Sequence, residues 1–147
     1  IKYSFQTGIA NGIVIFLITH DEKGNAMDLP YATMLNQMSE AIVYADENGV
    51  IRLWNPAAVT MFGFMEQEAV GQSLDIMIPE YLREAHWRGF HAALAAGKTK
   101  HGGKAVRTKA LHQSGEFIYA EVSFCVVEDA VTGQRGSLAC ARAIERK

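Results

Sequence analysis

"SEAIVYADENGVIRLWNPAA", residues 39–58, is the stretch on which the fold turns. Two short strand-like runs, Ala41–Ala45 and Val50–Trp54, flank Asp46-Glu47-Asn48-Gly49. Asn-Gly tolerates the positive φ that a tight connection needs, so the two runs are predicted to pair as a hairpin. The pattern then changes. Asn55 can cap a helix, Pro56 suits the first helical position, and Gly63 can close it. A hairpin that feeds directly into a short capped helix is the seed of a mixed α and β fold.

Working outward, Glu66–Val70 reads as another helical turn closed by Gly71. The longest helix is predicted from Pro79 to about Ala96, with Gly97 as its stop. Beyond it the apolar period falls to two. "KAVRTKAL" alternates, "HQSG" turns, and "EFIYAEVSFCVVE" alternates again, with Ile118, Ala120, Val122, Phe124 and Val126 on its cleaner face. "DAVTGQ" turns once more, and "GSLACARAI" makes a last strand of small side chains. Upstream, "DLPYATMLNQMSE" reads as a short helix with Asp28 as N-cap and Pro30 in its first turn. This order predicts the α+β class, with one antiparallel sheet and the helices collected on one face.

The totals narrow the function. The 147 residues fit one domain with a real core. A formal net charge of −2 with scattered basic residues gives no electrostatic reason to expect nucleic acid or an anionic membrane as partner. The apolar run "GIVIFLI", Gly12–Ile18, falls far short of the roughly 20 residues that a membrane helix needs. It lacks the flanks of a signal peptide and reads as one buried strand. Met27 precedes a helix start. The expected organisation is therefore an N-terminal extension over 1–26, carrying one apolar strand, and a domain over 27–147. Two separate cysteines, Cys125 and Cys140, make neither a disulfide framework nor a metal motif, so a reducing cytoplasm is the expected setting.

The ordered set "SEAIVYADENGVIRLWNPAA", "FGF", "EAVGQSLDIMIPE" and "SGEFIYAEVSF", ending in "CARAIERK", resembles a PAS domain over roughly residues 34–147. The resemblance implies a PAS fold: a five-stranded antiparallel sheet, short helices, one longer helix and a small enclosed cavity. It further implies a sensory domain that binds a small-molecule ligand, forms a homodimer and relays a signal to an effector domain missing from this chain, such as a kinase, a cyclase or a transcription-regulating output. Ala143-Ile144-Glu145 stands where many members carry Asp-Ile-Thr, so the contact that the aspartate makes toward the exit helix is lost.

The long helix places Leu82, His86, Gly89, Phe90 and Ala93 on one stripe, so His86 is expected to face the interior. Candidate ligand contacts from the helical side are Met77, Leu82, His86 and Phe90. Those from the strands are Val106, Thr108, Val122 and Phe124. His86 after "MIPEYLREA" also falls in the register of the iron-ligating histidine of FixL-type PAS domains. The resemblance thus admits haem b as a cofactor with His86 as the metal ligand, making a gas or redox sensor. Val106 stands where those relatives carry a distal arginine. A histidine there also occurs as a plain packing or hydrogen-bonding residue, and a ligand-free interaction module is the remaining alternative.

Light-sensing relatives carry a reactive cysteine where this chain has Leu74 within "GQSLDIM", which speaks against a flavin adduct. Cys125 and Cys140 read as small packing residues, and Met61 and Phe62 as core. Glu84 and Arg88 are expected to pair on the wet side of the helix, with His91 beside them. His101 and His112 fall in loops, without metal-ligand spacing. No phosphate loop, zinc motif or nucleophile elbow is present, so the chain reads as a non-enzyme. Phe117, Tyr119 and Cys125 on the second sheet face are expected to find a partner, either a second copy or an N-terminal segment.

Overall fold

A computed structural model of the chain describes residues 18–20 and 26–145. They divide after Met34 into two units. In the first, β1 (Ile18–His20) pairs antiparallel with β2 (Ala26–Asp28), and α1 (Tyr31–Asn36) begins. Asp28 is therefore not a helix cap: it ends a strand opposite Ile18, and the helix starts only after Pro30, whose carbonyl accepts from Met34 N. Apart from Ile18, the strand expected over Gly12–Ile18 lies outside the described residues.

The second unit holds the sheet. Its strands are β3 (Ala41–Ala45), β4 (Ile51–Trp54), β5 (Val106–Leu111), β6 (Phe117–Glu128) and β7 (Arg135–Ala143). They run β4-β3-β7-β6-β5, every neighbouring pair antiparallel. The predicted hairpin joins β3 to β4. Gly49 takes φ 72°, and Asp46 Oδ1 accepts the amides of Asn48 and Val50. The free edge of β4 is covered by the Gly71–Ser73 segment, through Ile51 N to Gln72 O and Gly71 N to Ile51 O.

Between β4 and β5 come α2 (Pro56–Phe62), α3 (Glu66–Ala69), a 3₁₀ turn (Leu74–Met77) and α4 (Glu80–Ala96). Asn55 caps α2 as expected, and the left-handed glycines Gly63 and Gly97 end α2 and α4. The end of α4 gains a second stop from the start of the central strand β7. Arg135 Nη1 donates to Leu94 O and Ala95 O at 2.8 and 3.0 Å, while its Nε pairs with Glu128.

The register sets the inner face in rows. One row reads Trp54, Val43, Ala139, Phe124, and the next Ala41, Ala141, Val122, Val106. The central strand β7 thus contributes only methyl groups where its neighbours contribute larger side chains. Phe62, Ala69, Leu74, Ile78 and Phe90 close the core from the helical side. The outer face of β6 keeps Phe117 53% exposed, and Cys125 is exposed there too. Cys125 is thus not a packing residue: its position in the alternation puts the thiol on the wet face. Cys140 is half-buried and donates to Glu40 Oε2 at 3.0 Å. Burial first, then that carboxylate, push its thiol up to about 11, so it stays protonated.

Candidate functional site

A hollow lies between α4 and the sheet, and the sequence explains why. Ala85, Gly89 and Ala93 recur at helical spacing on the inward side of α4, and Ala139 and Ala141 face them from β7. Small side chains on both walls leave space that the larger neighbours Phe62 and Phe90 do not fill. The space has two lobes, of about 280 and 310 Å³, which share Val43, Met77, Ala85, His86, Phe124 and Ala139. Each lobe alone sits near the lower end of the size range that holds small molecules.

All eight residues expected at the site border this hollow. Met77, His86 and Phe124 stand where the lobes meet, Phe90 lines the first, and Leu82, Val106, Thr108 and Val122 line the second. Phe62 is buried as expected but also borders the second lobe, whereas Met61 packs against the core without lining either. Leu74 is buried in the wall of the first lobe, which puts a leucine where a photoreactive thiol would stand.

Sequence reasoning missed the segment after α4. Thr99, Lys100 and His101 form the rim of the first lobe, and Thr99 Oγ1 reaches Phe124 O at 3.5 Å. No local signal marks such residues, because it is the chain reversal at Gly97 that brings them back over the opening. His112 does stay in its loop, but it packs against Gly63, while Gln113 N donates to Phe62 O.

His86 is the polar group at the waist. Its ring meets Trp87 edge-on at 5.0 Å and Phe90 at 6.0 Å between centroids. Its Nδ1 is buried without a hydrogen-bond partner. Leaving such an atom unpaired costs about 1–3 kcal/mol. Burial pushes the imidazole pKa down from 6.5; Asp75 opposes this and His91 adds to it. The ring is therefore neutral near pH 7, able to accept a hydrogen bond or bind a metal.

The same shift has a consequence for stability. A histidine whose pKa is lower folded than unfolded gives stability that is complete above the unfolded value and drains away as pH falls through the folded one. Between about pH 7 and pH 5 the wild-type chain is expected to lose more stability than His86→Leu, read from urea midpoints at each pH. Parallel curves would mean that the ring takes up its proton as easily folded as unfolded.

Among the described residues no group of three or more His, Cys, Asp or Glu could hold a metal ion. An iron porphyrin asks for less: one imidazole and apolar walls. His86 between Phe90, Leu82 and Phe124 offers that donor set. No helix among the described residues is long and apolar enough to cross a membrane.

Comparison with known proteins places this geometry. The profile of the family described as "PAS fold" matches residues 30–142. The chain is 37% identical over 54 residues to the sensor protein FixL of Bradyrhizobium diazoefficiens, covering 37% of this chain and 11% of that one. It is 36% identical over 62 residues to the oxygen sensor protein DosP of Escherichia coli, covering 42% of this chain and 8% of that one. The chain thus spans only about a tenth of the length of these relatives. Among solved structures, the PAS domain of a protein from Colwellia psychrerythraea superposes with a TM-score of 0.67 at 23% identity, covering 78% of this chain and 93% of that one.

Proposed function

Because the chain belongs to the PAS family, we propose that it is a sensory domain that holds a small, mainly apolar molecule in the bilobed hollow and relays its presence through the sheet. The observation that carries this reading is the hollow itself, walled almost wholly by apolar side chains, with His86 lining both of its lobes. The role is binding and relay rather than catalysis. β7 supports the relay: Ala139 and Ala141 wall the hollow, and two residues later the strand ends, where Ile144 N donates to Tyr119 O. A molecule that fits one packing of α4 against β7 better than another shifts the population at that exit. In this reading the output lies in other parts of a signalling protein. The exposed outer face around Phe117 and Cys125 supports a homodimer.

Native mass spectrometry of the purified chain tests the reading. A bound molecule released by organic extraction is expected at one per chain, with a dimer in light scattering. Bare protein under gentle conditions, with a closed and dry hollow, would leave only an interaction module.

A second reading, haem b, is favoured by the same His86 together with the likeness to FixL and DosP, the latter named an oxygen sensor. His86 would hold the iron, and Leu82, Phe90 and Phe124 would wall the ring. When bound, the group would supply an iron able to take a diatomic gas or change oxidation state. Val106, aliphatic and lining the second lobe, offers no side-chain hydrogen bond to a bound gas. Protein made with a haem precursor is then expected to show a Soret band that His86→Ala loses. Protein made with the same precursor that purifies without a Soret band, or a band that His86→Ala keeps unchanged, removes this second reading and leaves the first.

A further inference from the structure

The charges around the hollow point to one class of occupant. Neither lobe is lined by an aspartate or glutamate. A cationic head would therefore find no counter-charge in the walls. The interior ring, His86, is neutral near pH 7, so an ionised group gains little by going deep. At the rim of the first lobe the situation is reversed. Lys100 is exposed there with no ion pair or side-chain hydrogen bond among the described residues, and His101 is exposed beside it. Two other cations near the lobes are engaged. Arg135 is held by Leu94 O, Ala95 O and Glu128, and Lys109, at the second lobe, lays its ammonium 5.4 Å from the centroids of both Phe117 and Tyr119.

Shape adds direction. The two lobes share Met77, His86 and Phe124 in their walls, with Lys100 and His101 bordering the first and Thr108 the second, so an occupant of both is a long body rather than a compact one. We infer that the hollow takes a fatty-acid-type ligand, with its carboxylate at Lys100 and His101 and its chain running past His86 toward Thr108. This deepens the first reading above and rests on it. The carboxylate remains in reach of water, where it keeps its charge at little cost, while the chain leaves water entirely.

The test compares decanoate, decan-1-ol and decyltrimethylammonium by isothermal titration calorimetry on the wild-type chain and on Lys100→Glu. Decanoate is expected to bind at least about threefold more tightly than decan-1-ol, a gap that narrows with added salt and is lost in Lys100→Glu. Equal affinities for decanoate and decan-1-ol, or tighter binding of the ammonium, would overturn the carboxylate while the hollow reading stands. Haem-loaded protein that refuses decanoate overturns it as well, in favour of the porphyrin. If none of the three probes binds and no haem is present, the hollow reading falls and takes this inference with it.

Discussion

Replacing Asn55 by alanine is expected to cost the fold about 3 kcal/mol or more, the largest loss from any one polar side chain in the second unit. Asn55 is only 1% exposed, yet each polar atom of its amide is used twice. Oδ1 accepts from Ile42 N at 2.9 Å and from Ala58 N at 3.0 Å. Nδ2 donates to Leu35 O at 3.1 Å and Glu40 O at 3.0 Å. One side chain thus caps α2, fixes the start of β3 and ties down the segment that leads into it. The cap alone is worth about 1 kcal/mol, and each buried amide or carbonyl left without a partner adds about 1–3 kcal/mol. Asn55→Ser should keep the cap and recover only that part. Asn55→Asp keeps both acceptor bonds but sets a charge against the carbonyls of Leu35 and Glu40, and should not rescue. Urea midpoints at unchanged slope read all three. A loss under about 1 kcal/mol for Asn55→Ala would show that water replaces the amide freely, and that this hub is not what joins the elements.

The second large effect concerns Gly49→Ala, expected to cost about 2–4 kcal/mol. Two costs combine. At φ 72° an alanine is strained by about 1–2 kcal/mol. Its Cβ would also overlap the indole of Trp87, which lies against the bare Cα. That ring cannot retreat cheaply: Trp87 Nε1 donates to Asp75 Oδ1 at 2.9 Å, and His91 stacks on it. The variant is expected to release the ring, shifting tryptophan fluorescence to the red. In a Trp87→Ala background Gly49→Ala should cost only the backbone part, and the difference measures the clash. Identical costs in both backgrounds would clear the indole of blame. His86 is the next residue along α4 and rests edge-on against the same ring, so a displaced Trp87 should also weaken whatever the hollow holds.

These two sites mark how far sequence reading reaches. The role of Asn55 as a cap was legible, because Asn-Pro before an apolar run has a local cause in the free amides of the first turn. Its other partners were not, since Leu35 and Glu40 reach it only after the chain has folded back. Gly49 was legible as a turn residue for the same local reason. That its missing Cβ makes room for Trp87 belongs to the packing of a distant helix. The error at Asp28 has the same root: a good capping residue was taken by strand pairing, and pairing depends on a partner that no local pattern names. Cys125 was misjudged for another reason: the alternation put it with Phe117 and Tyr119 on the second face, but how much of that face is covered depends on elements that no strand pattern names.

By itself, then, the order of strands, turns and caps determined the α+β class, the strand and helix segments and the inward stripe carrying His86, since each follows from backbone geometry repeated over neighbouring residues. Only the tertiary structure decided that small residues on α4 and β7 face each other and leave a bilobed space, that the ring of His86 lines both lobes, and that Lys100 returns to the border of the first. Those facts arise from elements far apart in the chain meeting at one place, and the distance between two walls is not written in either wall alone.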